Sequence, residues 1–192
     1  MLPQRLDLSG WDLRKTLRLF SKCNLALNEW LGSPIVYSEA TDFRQRLSVL
    51  IPRFFNPLRA MHHYRSMATR ALAANLRGRE IGIKKLFYVV RAMLACRWIG
   101  NTNAQPPTTF QDLVSPVWVS REEKDWIARL LEEKSKAVEA QMISLDAAIS
   151  DRIRSELDEY TAVVELVESS ATMDIHELDK LFLDSTCLKS RH

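Results

Sequence analysis

Ile83-Lys-Lys-Leu-Phe-Tyr-Val-Val-Arg-Ala-Met-Leu-Ala-Cys-Arg-Trp-Ile99 contains no glycine, no proline and no acidic residue. At 100° per residue, Leu86, Val90, Met93 and Leu94 line one side of a helix, and Lys84, Tyr88, Arg91 and Ala95 fall in a narrow stripe opposite. Alternating apolar and polar runs are nearly absent from the rest of the chain. Five Gly and seven Pro among 192 residues supply few of the turns that strands need. The chain therefore reads as all-α, an irregular bundle of about seven to nine helices with a short extended segment at the N-terminus.

Upstream of this helix, Gly78 and Gly82 bracket a turn, and Pro57 suits the first turn of a long helix reaching about Arg77. Earlier still, Thr41 or Asp42 opens a helix ending near Leu50, before Pro52. Asn24–Leu31 is a short helix stopped by Gly32 and Pro34, and Trp11–Lys22 is another, with Ser9 placed to cap it. Downstream, 100–107 reads as a loop and Phe110–Val114 as a short helix. Ser120-Arg-Glu-Glu123 is a capping box that starts a helix to about Lys136. Helices over about Leu145–Ser169 and Asp174–Leu183 complete the pattern. Residues 1–160 form one helical region and 161–192 an acidic helical tail, expected to fray beyond about Ser170.

Charge is distributed unevenly. Residues 1–100 carry 17 Lys+Arg against 6 Asp+Glu, and residues 101–192 carry 10 against 18. The halves are thus +11 and −8, which gives the net +3. Between Arg53 and Arg97, ten cations meet one acid, Glu80, interleaved with His62, His63, Tyr64, Phe87 and Tyr88. Cations and aromatic rings together suit a phosphate backbone and its bases.

Other classes are disfavoured. No apolar run reaches the ~18 residues of a membrane span, and no signal-peptide core begins the chain. Cys23, Cys96 and Cys187, odd in number and far apart, point to reduced thiols in a cytoplasm. His62 and His63 project about 100° apart and cannot chelate from one helix face. No Cys-x-x-Cys, Gly-rich phosphate loop or Ser/His/Asp order occurs. Glu156-Leu-Asp158 and Glu177-Leu-Asp179 read as solvated helix faces. No catalytic or metal-ligating residue is assigned, and the chain has no self-sufficient active site.

The candidate binding residues are His63, Tyr64, Lys84, Lys85, Tyr88, Arg91 and Arg97. The Lys84–Tyr88–Arg91 stripe is either a phosphate and base contact surface or an ordinary solvated face. Arg97 projects from the apolar side, where a guanidinium needs a carboxylate or carbonyl partner, or reaches an anionic ligand. His63 shares a face with Arg59, Arg70 and Arg77, and a plain surface histidine is its bland reading.

Several segments, in order, resemble the C-terminal helical region of the RNA-repair-pathway (YcgL-like) nucleotidyltransferases of the DNA polymerase beta superfamily. They are Gly10-Trp-Asp-Leu-Arg-Lys15, Asn24 with Glu29-Trp30-Leu31, Ser33-Pro-Ile-Val-Tyr37, His63-Tyr64 and Met67-Ala68. Lys84-Lys85, Tyr88, Arg91, Leu94-Ala-Cys-Arg-Trp-Ile99, Pro106-Pro107 and Phe110-Gln-Asp-Leu113 continue the series. The resemblance covers roughly residues 5–160. It implies a Mg²⁺-dependent nucleotidyl transfer from an NTP, with RNA or nucleotide as partner. It also implies functional roles for Lys84, Lys85, Tyr88, Arg91 and Arg97.

The Gly-Ser helix start and Asp-x-Asp metal pair of that family have no counterpart here. No residue inherits their roles, so Mg²⁺ and NTP are expected to be held by a separate catalytic domain, and this chain alone to be inactive. A truncated start, a split gene and a helical protein with a catalytic partner all fit. An exposed apolar surface around Trp11, Leu17 and Trp30, with self-association, is also expected. The competing function is a non-enzymatic helical interaction module whose basic half docks on an acidic surface, its own or a partner's. A helix-turn-helix DNA binder is weaker, because the helices flanking Gly78–Gly82 are longer than that motif needs.

Overall fold

The computed structural model describes residues 9–39, 41–136, 141–165 and 175–187. Among them are nine helices: α1 (Leu13–Ser21), α2 (Leu25–Leu31), α3 (Phe43–Phe54), α4 (Pro57–Asn75), α5 (Ile83–Thr102), α6 (Phe110–Val114), α7 (Arg121–Lys136), α8 (Ala147–Glu165) and α9 (His176–Cys187). Two three-residue strands, β1 (Glu80–Gly82) and β2 (Met142–Ser144), pair antiparallel with Ile81 opposite Ile143. The expected irregular all-α bundle is what forms. The extended segment placed at residues 1–9 lies, but for Ser9, outside the described residues, as does much of the tail placed at 161–192.

The chain divides into two compact units, residues 1–54 with 172–192, and residues 55–171. In the first, α1, α2, α3 and α9 bury Leu17, Phe20, Leu27, Leu31, Leu47, Phe54, Leu178 and Leu181 against one another. Arg44 closes the end of α2, donating from Nε to the Leu31 carbonyl (3.2 Å) and from NH2 to that of Ser33 (2.8 Å). Carbonyls at a helix end lack intrahelical partners, which is why an arginine is useful there. Arg46 pairs with Asp184 at 2.6 Å and Arg53 with Glu177, joining α3 to α9. Leu17 is buried, Trp11 stacks on half-exposed Trp30 at 4.5 Å, and Ile35, Val36 and Tyr37 are exposed.

The second unit is organised by α4 and α5, joined through the turn at Gly78, which adopts φ +62°. The two run antiparallel, with the Cys96 thiol facing the Met61 carbonyl at 3.8 Å. Asn56 caps α4 by accepting from the Arg59 N–H (2.9 Å), and Pro57 occupies its first position, where the missing N–H costs nothing. Helix α5 is buried on nearly every side, from Ile83 through Ile99. Arg65 Nε donates to the Leu157 carbonyl (2.9 Å) and ties α4 to α8.

Several boundaries differ from the sequence reading for identifiable reasons. Asp12, not Ser9, caps α1, accepting from the Lys15 N–H at 2.8 Å. Pro52 lies inside α3, in its last turn, and does not stop it. Helix α5 runs through Gly100 and ends at Asn103, whose φ of 52° is the left-handed conformation asparagine tolerates. Leu145 is not helical, because its N–H bonds the Arg79 carbonyl (2.7 Å) and prolongs the β ribbon. Asp146 then caps α8 through the Ala148 N–H.

Candidate functional site

Helix α5 presents little of itself to solvent. Within its first three turns Lys84, Lys85 and Tyr88 are exposed, Tyr88 by 57%, while Leu86, Phe87, Val89 and Val90 are buried. The Lys85 ammonium lies 6.0 Å from the centre of the Tyr88 ring, within cation–π reach. Arg91 is half-buried and donates from NH1 to the Thr108 carbonyl (2.9 Å), which fixes the loop leading into α6. Phe87 meets Phe110 of α6 edge-to-face at 5.5 Å, and Lys134 of α7 sits 4.7 Å over the Phe87 ring. Lys84, Lys85, Tyr88, Arg91 and Lys134 thus gather at one end of the unit. A groove of about 520 Å³ between α6 and α7, lined by Phe110, Val114, Ile127 and Leu131, opens nearby.

The remaining candidates lie elsewhere. Met61 opposite Cys96 puts His63 near the level of Leu94, just past the middle of α5 and about ten residues or ~15 Å along the axis from Lys84. His63 is exposed there. Tyr64 is 2% exposed, its ring turned into the core with Ala68 and Leu72.

Arg97 is enclosed by acids. Its Nε and NH2 donate to the two carboxylate oxygens of Glu156 (2.8 and 2.5 Å), and NH1 donates to Glu123 Oε2 (2.7 Å). The three side chains are 11%, 14% and 5% exposed. Burial opposes the charge on Arg97, but the hydrogen bonds to Glu156 and Glu123 outweigh it and raise its pKa. Tyr160 donates to Glu156 Oε1 (3.1 Å), and burial beside that carboxylate pushes the phenol up. Cys96 is pushed up to about 12, chiefly by burial and then by Glu156, with Arg65 opposing. An inert buried thiol results.

Of the two ways in which Arg97 could be satisfied, the structure takes the carboxylate one. The apolar placement of Arg97 signalled a partner; which acids supply it was not legible. Glu123 was read as half of a capping box, and its backbone N–H does bond Ser120 Oγ (3.2 Å). Its carboxylate goes to Arg97 instead of returning to the helix start. Lys134 went unnoticed, because nothing local in an acidic helix links it to Phe87.

A Mg²⁺ site of the kind the resemblance implies does not fit these residues. Glu123 and Glu156, the buried carboxylates that converge, are both bonded to Arg97. Among the described residues no three His, Cys, Asp or Glu side chains cluster as metal ligands. Among the same residues no helix is long and apolar enough to cross a membrane.

A model of the family described as RNA repair pathway DNA polymerase beta family matches residues 1–184. The uncharacterized protein YcgL of Bacillus subtilis (strain 168) is 37% identical over 180 residues, which cover 94% of this chain and 69% of that protein. No solved structure matches.

Proposed function

This chain belongs to the RNA repair pathway DNA polymerase beta family, and from that premise we propose that it is the helical, substrate-positioning part of a nucleotidyltransferase-related protein. The face formed by Lys84, Lys85, Tyr88 and Arg91 contacts the phosphates and an exposed base of an RNA end or nucleotide. Mg²⁺ and the NTP are held by a separate catalytic domain. Nucleotidyl transfer depends on alignment and on neutralised phosphate charge, and a rigid cationic helix supplies both.

One observation carries this reading: the exposed residues in the first three turns of α5 are two lysines and a tyrosine. A solvated face needs no aromatic ring, whereas a base needs one to stack on. Arg91 is held by Thr108 and acts as a fixed charge at the edge of the face. Arg97, engaged by Glu123 and Glu156, serves as a positioning residue that keeps α5 in place. Tyr64 is buried and does not share this surface, and His63 stands on α4 about 15 Å along the axis from Lys84.

A second reading has its own support. Arg46, Arg53 and Arg97, from the basic half, all pair with carboxylates of the acidic half. That pattern favours a helical module whose charges serve internal and protein–protein contacts. Fluorescence anisotropy of a labelled single-stranded RNA separates the two. Positioning requires binding that weakens linearly with log salt, by a slope of about 0.7 per phosphate contacted. Absence of binding at low salt favours the interaction module.

A further inference from the structure

The first unit carries a charged surface of its own. Residues 11–22 hold four cations, Arg14, Lys15, Arg18 and Lys22, against one acid, Asp12, which is committed to the cap of α1. At 100° per residue, Arg14, Arg18 and Lys15 fall within about 100° of arc, opposite Leu13, Leu17 and Phe20, which pack into the core of that unit. All three cations are exposed. Lys15 Nζ lies 5.8 Å from the centre of the Trp11 ring, and Trp11 stacks on Trp30 at 4.5 Å with 23° between the planes. We infer that this side of α1, with its tryptophan stack, is a second contact surface for single-stranded RNA, with phosphates on Arg14, Lys15 and Arg18 and a base on Trp30.

The cations are not spent on the fold. Arg46, Arg53 and Arg97 each pair with a carboxylate, whereas among the described residues Arg14, Lys15 and Arg18 pair with none. Arg14 lies 5.8 Å over the Phe182 ring, a contact of its face that leaves the N–H groups of its edge for a phosphate. Trp30 is 50% exposed. Indole rings held in an exposed stack beside cations are what a base and its phosphate need, and every base has a π-face to stack.

Neighbouring acids do not cancel the charge. Glu177 and Asp184 of α9 are taken by Arg53 and Arg46. Asp179 lines a groove with Arg14 and Arg18, and Glu29 precedes Trp30 in α2. With Asp12 these make three acids against four cations, so the surface stays positive. A lipid surface fits poorly, because an interfacial helix inserts its apolar face, and that of α1 is buried against Leu27, Leu31, Leu47 and Leu178. The surface goes beyond the α5 face and rests on the reading of this chain as an RNA-contacting protein.

The test uses the full chain, a short labelled single-stranded RNA, and ¹H–¹⁵N spectra in which each tryptophan gives an indole N–H signal. RNA is expected to shift the Trp30 signal, and at higher concentration to do so in Lys84→Glu/Lys85→Glu as well, which isolates this surface from the α5 face. Arg14→Gln/Lys15→Gln/Arg18→Gln, at exposed positions, should keep the melting temperature, weaken binding at least about fivefold and make the salt slope shallower by about 1–2. Trp30→Ala should weaken binding at least about fivefold with the slope unchanged, since stacking releases no counterions. The triple variant decides the matter if Trp30→Ala fails to fold. Affinity unchanged in the triple variant overturns the inference. So does polyglutamate that displaces the RNA at equal charge, the mark of a dock for an acidic protein, and so does binding to phosphatidylserine vesicles in place of RNA. RNA binding lost in the α5 variant and untouched in the triple variant overturns this surface and leaves the α5 face standing. A parent chain that binds no RNA overturns both.

Discussion

Arg97 of α5 grips Glu156 of α8 through two parallel hydrogen bonds, Nε to Oε1 at 2.8 Å and NH2 to Oε2 at 2.5 Å. The third prong, NH1, reaches Glu123 of α7 at 2.7 Å. One planar guanidinium thereby fastens three helices, a task its fixed fork suits and a lysine ammonium does not.

Truncating Arg97 leaves two buried carboxylates facing each other. Arg97→Ala is expected to cost about 3–5 kcal/mol. Arg97→Lys should recover only part of this, because one ammonium cannot satisfy both acids. Urea unfolding of the two variants beside the parent checks it. A loss below about 1 kcal/mol for Arg97→Ala would mean that the pair behaves like an exposed one.

The same cluster sets an alkaline limit. Burial, and the charge on Glu156, raise the folded pKa of Cys96 from 9.0 to about 12, and raise that of Tyr160 as well. An unfolded chain therefore releases these protons at lower pH than the folded one. Their contribution is complete below about pH 9 and is lost as pH rises toward 12. The melting temperature should fall between about pH 9 and pH 12. Cys96→Ala should lessen that fall, and an equal fall in Cys96→Ala would assign the limit to other groups. Native Cys96 should also resist alkylation near neutral pH.

The first unit has a testable keystone. Leu47 is fully buried among residues of α1, α2 and α9. Leu47→Ala is expected to cost about 2–5 kcal/mol, read from denaturant midpoints.

What was legible in the sequence follows from the range of each interaction. The unbroken run Ile83–Ile99, without glycine, proline or acid, is a local signal and the helix appears there, but burial reaches nearly every side of it and takes in Ala95 of the expected stripe. Pro57 after Asn56 is likewise a local signal, and it opens α4. The β ribbon was not legible, since three residues around Ile81 show no alternation and their partners lie around Ile143. Pro52 was read as a stop, yet in the final turn of a helix a proline removes a single backbone bond, which the packing of Phe54 outweighs. At the site, the stripe of Lys84, Tyr88 and Arg91 could be drawn from helix geometry. That Arg91 bonds Thr108, and that Lys134 comes to Phe87, depends on tertiary packing which no local pattern encodes.

Charge reversal on the exposed turn of α5, with a matched control, tests the central claim most directly. Lys84→Glu/Lys85→Glu is compared with Arg121→Glu/Arg154→Glu, an equal change of charge at exposed positions on α7 and α8. Anisotropy of a labelled single-stranded RNA gives the affinity and its salt slope for each, and thermal melting monitors the fold. The account expects the α5 variant to keep its melting temperature, to lose at least about tenfold in affinity, and to show a salt slope shallower by about 1–2. Equal losses in both variants, or RNA binding unaffected by the α5 reversal, would contradict it.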